Sequence, residues 1–161
     1  MPHTPILPIA EVDLDAVLAL NNEHAAELSL LDRERLTHLV GEAFVARRVG
    51  ALDAFLIAFD QSAAYDSPNF LWFRERYPRF VYVDRIAVSP QARGRGLARR
   101  LYDHLFSAAR AAGHSVATCE VSAEPPNPGS DAFHAALGFR EVGAAAIHGG
   151  AKSVRYFERA L

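Results

Sequence analysis

The chain has 161 residues, enough to bury a substantial core and within the span of one domain. Apolar residues make up 50% and charged residues 22%, the balance of a globular chain. The formal net charge of -2 supplies no basic field to draw in nucleic acid, and a lone cysteine, Cys119, excludes an intramolecular disulfide and suits a reducing cytoplasm. The N-terminal MPHTPILPIAEVDLD lacks the basic leader and apolar core of a signal peptide, and no apolar run approaches the ~20 residues of a membrane-spanning helix. These features predict a cytoplasmic protein with no membrane and no nucleic-acid partner.

Leu14, Val17 and Leu18 fall at helical spacing and predict a first helix over 11–20, broken by the polar run from Asn21 to His24. A second helix is expected over 32–40, with Asp32 as its N-cap. Strands over 42–49 and 52–59 flank a Gly-Ala pair and read as a hairpin. The stretch 60–79 is a long aromatic and charged connection, of a length that often serves function. Residues 80–88, FVYVDRIAV, form the strongest strand pattern in the chain and end at Ser89-Pro90.

Leu97, Leu101, Leu105 and Ala108 share one stripe and predict an amphipathic helix over 97–112, with Gly113 just past its end. A strand over 115–122 follows, then a turn-rich loop over 125–129. Ser130 is read as the cap of a short helix that runs to Leu137 and stops at Gly138, and strands over 139–143 and 153–160 complete the chain. The order predicts an α/β domain with a mixed sheet. No repeat or linker divides the sequence, so one domain over 1–161 is expected.

The segment 83–101 reads V-D-R-I-A-V-S-P-Q-A-R-G-R-G-L-A-R-R-L. A strand enters a glycine-rich turn and then, at once, a helix. Glycines let a ligand approach the backbone, and the free N–H groups of a helix start, with the helix dipole, favour an anion. Arg93 and Arg95 add charge, so a pyrophosphate is the natural guest. Neither G-x-x-x-x-G-K-[ST] nor G-x-G-x-x-G is present, which argues against a P-loop or a dinucleotide fold.

This strand, turn and helix resemble motif A of the GNAT superfamily of acyl-CoA-dependent N-acetyltransferases, [RQ]-x-x-G-x-[GA]. The pattern is met in two registers: Gln91, Gly94 and Gly96, or Arg93, Gly96 and Ala98; the second keeps the family's usual spacing from Val88. Asn127 to Phe139, N-P-G-S-D-A-F-H-A-A-L-G-F, is similar to motif B, with Asn127, Gly138 and Phe139 in matching places. The resemblance covers roughly 80–142. It implies a GNAT-type fold, a mixed central sheet of about six or seven strands flanked by helices, and acetyl-CoA as co-substrate. It further implies that the backbone amides of Arg93, Gly94, Arg95, Gly96, Leu97 and Ala98 hold the coenzyme pyrophosphate. By the same resemblance, Ile86, Ala87 and Val88 pair with the pantetheine arm, and Asn127 belongs to the coenzyme site. Dimers are common among such proteins, which leaves a homodimer open.

His134 stands where the family frequently has a tyrosine that protonates the departing thiolate; the acid is then His134 or water. An attacking amine must lose a proton. Glu120, on the strand after the motif A helix, is the preferred base by resemblance, and a carboxylate in an apolar strand tends toward a raised pKa. Asp84 is the rival, with an arginine ion pair as its alternative role. Cys119 reads as a small buried residue rather than an acyl carrier. Trp72 and Phe73 in the long connection, and Asn22 after the first helix, are candidates to line the amine pocket. The seven histidines do not cluster at ligand spacing, so no metal is expected. The function this implies is transfer of an acetyl group to a primary amine of a small molecule or a protein N-terminus, in a ternary complex; the alternative is an acyl-CoA-binding sensor.

Overall fold

The computed structural model describes residues 4–26, 28–124 and 126–161. Along the chain lie β1 (Ile6–Pro8), α1 (Leu14–Glu23), α2 (Arg33–Glu42), β2 (Val45–Val49), β3 (Ala54–Asp60), α3 (Pro68–Arg74) and β4 (Val81–Val88). After these come α4 (Leu97–Ala111), β5 (Val116–Glu124), α5 (Pro128–Ala136), β6 (Arg140–Ile147) and β7 (Lys152–Ala160). The strands form one seven-stranded sheet in the order β1-β2-β3-β4-β5-β7-β6. Every neighbouring pair is antiparallel except β4 and β5, which run parallel around the α4 crossover. The mixed sheet agrees with the sequence expectation.

Both sheet faces are covered, and β3 records this directly. Ala54, Leu56 and Ala58 join the core beneath α4 and α5, while Phe55, Ile57 and Phe59 join the core beneath α1, α2 and α3. The period of two puts alternate side chains on opposite faces, so a strand buried on both reads as a continuous apolar run. Helix α4 lays Leu97, Leu101, Tyr102, Leu105, Phe106 and Ala109 onto the sheet. Gly113 follows its C-cap with φ of 86°, as expected for a residue that closes a helix in the left-handed region.

Several boundaries differ from those expected. Helix α1 continues through Asn21, Asn22 and Glu23, because the two asparagines bond outward instead of breaking the helix. Residues 42–44 are not strand: Glu42 ends α2, and β2 begins at Val45. The connection 60–79 contains α3, with Pro68 in its first turn. Asn127, not Ser130, caps α5, its side chain accepting from the Ser130 N–H. Pro125, part of the expected loop, lies outside the described residues, as do Met1, Pro2 and His3. No described helix is long and apolar enough to cross a membrane.

Candidate active site

Strands β4 and β5 pair only through Val81–Val83 and Ala117–Cys119, although β4 runs on to Val88 and β5 to Glu124. Beyond that point they separate. The cause is visible in the register of β3 against β4: Ile57 faces Arg85 and Ala58 faces Val83, so Asp84 is the extra residue of a bulge. A bulge bends its strand and re-aims the side chains beside it. The backbone of Ile86, Ala87 and Val88 is thereby left without a partner on the β5 side.

A cavity of about 900 Å³ fills the gap. Asp84–Val88 and Cys119–Ser122 form its walls, with Arg93, Tyr102, Asn127 and Phe133 on one side and His24 and Leu28 on the other. A second cavity of about 550 Å³ lies on the α1–α3 side, between Tyr65, Asn69, Tyr82 and the β6–β7 turn at His148. Asp84, Arg85, Glu120 and Lys152 line both, so the two spaces meet at the end of the paired segment.

The glycine turn opens toward solvent beside the first cavity. Gly94 and Gly96 have φ of 80° and 69°, a region that other residues enter at a cost. A Cβ at either position would find nothing within 4 Å, so the surface above the turn is bare. Among the described residues, Gly94, Arg95 and Gly96 donate no backbone hydrogen bond, and no side chain caps α4. The N–H groups of Leu97 and Ala98 belong to the first helical turn, which has no partner within the helix. Arg93 lines the cavity, whereas Arg95 is drawn aside toward the Gln91 carbonyl and Asp53. Leu97 sends its side chain into the core and offers the site only its backbone.

Glu120 lies on the α1–α3 face of β5, since Cys119 and Val121 belong to the opposite core. Its carboxylate receives no hydrogen bond among the described residues. Burial pushes its pKa up, opposed by the Lys152 ammonium and reinforced by Asp84. Asp84 is committed elsewhere: Tyr65 donates to one oxygen at 2.6 Å and Arg85 Nε to the other at 2.7 Å. Asp84 and Arg85 are 4% and 5% exposed, and Arg85 also donates to the Asn21 side chain and the Ser29 carbonyl. Removing one partner of such a pair strands a buried charge. Asp84→Ala is therefore expected to cost about 3–5 kcal/mol in urea unfolding, as a structural ion pair does.

The remaining candidates sit differently. Phe73 is fully buried against Phe80, Tyr82 and Tyr156. Trp72 stacks on Tyr156 at 4.3 Å and packs against Gly143, where a Cβ would come within 2.4 Å of its ring. Neither lines either of the two cavities: Phe73 belongs to the core and the half-buried Trp72 packs against it, as an aromatic-rich seven-residue helix needs its apolar face covered by the sheet. Asn22 also lines neither cavity. Its side chain donates to the Leu31 carbonyl and accepts from the Leu31 N–H, and Asn21 holds Ser29, so the pair fixes the segment that carries His24 and Leu28 to the first cavity. His134 is buried behind Tyr102 and does not line the cavity. Cys119 is buried, and its thiol pKa is raised by desolvation, which suits packing rather than nucleophilic work.

Sequence reading overlooked Tyr102 and Lys152. Tyr102 lies in the apolar stripe of α4, where periodicity marks only core. Lys152 had a usable signal, because it is the only lysine in the chain. No group of three or more His, Cys, Asp or Glu is placed to hold a metal ion among the described residues.

The model of the acetyltransferase (GNAT) family matches residues 24–139. An L-2,4-diaminobutyric acid acetyltransferase of Nocardia farcinica is 39% identical over 69 residues, 43% of this chain and 35% of that protein. One of Wolinella succinogenes is 28% identical over 86 residues, 50% of each chain. The matches thus span half or less of these relatives' own length. Among solved structures, the phosphinothricin acetyltransferase of Sinorhizobium meliloti in complex with acetyl-CoA superimposes with a TM-score of 0.72 at 20% identity, over 99% of this chain and 89% of that one. At that identity the likeness speaks for the fold alone, but the family match covers most of the chain, from the cavity residue His24 through both motifs: the chain belongs to the GNAT acetyltransferase family.

Proposed function

We propose that the protein transfers the acetyl group of acetyl-CoA to a primary amine by direct attack in a ternary complex. The observation that carries this reading is the split between β4 and β5, opening beside a helix start whose N–H groups are bare. The pyrophosphate rests on the amides from Arg93 to Ala98, where the dipole of α4 and Arg93 favour negative charge. The pantetheine arm follows Ile86, Ala87 and Val88 and takes their free backbone groups as hydrogen-bond partners, with Asn127 across the cavity. A strand N–H near Val88 donates a hydrogen bond to the thioester oxygen as negative charge develops on it.

The acceptor enters through the second cavity and meets the thioester beside Glu120. An ammonium has no lone pair, so Glu120, directly or through water, takes its proton before attack. The acceptor named for the relatives, L-2,4-diaminobutyric acid, carries primary amines and a carboxylate and is compatible with this charged cavity, and a protein N-terminus enters the same chemistry.

Release of free coenzyme A thiol, followed across a panel of amino acids, diamines and N-terminal peptides, tests the reading. Amine-dependent release supports it; tight acetyl-CoA binding without release from any amine points instead to a sensor. Lys152 supplies a further test. Its ammonium favours the charged form of Glu120, so Lys152→Met is expected to move the acid limb of kcat/KM to higher pH, measured in buffers of constant ionic strength. An unmoved limb would separate Glu120 from that limb.

A further inference from the structure

We infer that Lys152 and Ser122 form a subsite for a carboxylate of the acceptor, which makes the acceptor a free amino acid rather than a protein N-terminus; this rests on the acetyl-transfer reading above. Both residues line the two cavities where these meet. They share a sheet face with Glu120. Along β5, Ser122 follows Glu120 by two residues, while Cys119 and Val121 belong to the opposite core. Lys152 opens β7 two residues before Val154, which lies in the core on the α1–α3 side. Val154 is the register partner of Ser122, so Lys152 stands diagonally across from the serine, within the reach of a long side chain.

Two observations point to a ligand. The Ser122 hydroxyl oxygen is buried and has no hydrogen-bond partner among the described residues. A buried hydroxyl left unpaired costs free energy, and such groups are ordinarily partnered. The second observation is the state of the cations. Arg35, Arg85 and Lys152 line the second cavity. Arg35 pairs with Asp66 at 2.8 Å and Arg85 with Asp84 at 2.7 Å, whereas Lys152 has no ion pair among the described residues. A hydroxyl donor beside an ammonium suits a carboxylate, which accepts from both. Glu124 also lines the second cavity, but it is exposed, and water screens its repulsion. Glu120 and Ser122 are about 7 Å apart along the strand, so the carboxylate sits a few bonds from the nitrogen that meets Glu120. An amino acid carries both groups at such a separation. The first residue of a protein has its α-carboxyl tied into a peptide bond and offers Lys152 no charge.

The test measures kcat/KM above the acid limb for short amino acids, each against its own α-carboxamide, with an N-terminal peptide alongside and folding checked by circular dichroism. The wild type is expected to favour the acid over the carboxamide by about 30-fold, the scale of a hydrogen bond to a charged group. In Lys152→Met that ratio is expected to fall to about threefold or less, and Ser122→Ala to lower it by about fivefold. Lys152→Arg keeps the charge and is expected to retain most of the preference. Comparing ratios between variants cancels the different basicities of the two acceptors. A wild type that takes the carboxamide or the peptide as well as the acid overturns the inference. So does a loss in K152M shared equally by both acceptors, which is what a change at Glu120 or in packing alone would produce. If K152M does not fold, S122A and K152R decide by the same ratio. Transfer to amines without preference for a carboxylate overturns this inference and leaves the function standing; transfer to no amine overturns both.

Discussion

Glu120→Gln is expected to lower kcat by about 100- to 1,000-fold while acetyl-CoA affinity stays within threefold. Glutamine keeps the shape of the side chain and removes its capacity to take a proton. The structure isolates this group from its rival. Both oxygens of Asp84 are bound by Tyr65 and Arg85, whereas Glu120 faces the junction of the two cavities without a hydrogen-bond partner among the described residues. The pH dependence has a definite sign. A base works in its deprotonated form, so kcat/KM of the wild type falls as pH drops through the Glu120 pKa. Burial holds that value above the ordinary glutamate range, and the acid limb lies correspondingly high. The limb vanishes in E120Q. Full activity in E120Q, with the acid limb intact, would remove Glu120 from the reaction.

The second large effect falls on coenzyme binding. Gly96→Glu is expected to weaken acetyl-CoA by at least about 100-fold, equivalent to roughly 2.7 kcal/mol. Two causes act together. A non-glycine residue at φ of 69° carries strain of about 1 kcal/mol or more, and a carboxylate at the helix start repels the anion that the dipole attracts. No atom lies within 4 Å of the new Cβ, so the chain folds and the loss is one of binding. Gly96→Ala separates the causes, with strain but no charge, and an intermediate loss of about tenfold is expected. Equal affinity in all three proteins would place the diphosphate elsewhere.

What was legible in the sequence was local. The strand into Val88, the Arg93–Ala98 turn and the stripe of α4 are contiguous, and their physics acts within a few residues of chain. The glycines at 94 and 96 mark a turn that a ligand can approach, although their positive φ belongs to the fold, and Glu120 is singled out as a candidate base by the family resemblance. What was hidden depends on distant partners. Helix α3 is under two turns long and full of aromatics, so its face toward Tyr156 and Phe80 resembles pocket lining until the sheet is in place. Asn21 and Asn22 look like a helix break because the carbonyls they hold, at Ser29 and Leu31, lie eight and nine residues ahead. The Tyr102–His134 contact joins two helices 32 residues apart, and no periodicity announces it. Strand β1, three residues ending in a proline, is created by its pairing with Arg47–Val49.

The central claim is that an acyl-CoA diphosphate sits on the bare amides at the start of α4. Calorimetric titration of the native chain with acetyl-CoA tests it most directly, run with and without competing inorganic pyrophosphate. The account predicts binding at one site per chain, weakened by pyrophosphate and by added salt. No heat of binding, or binding that pyrophosphate leaves untouched, would contradict it.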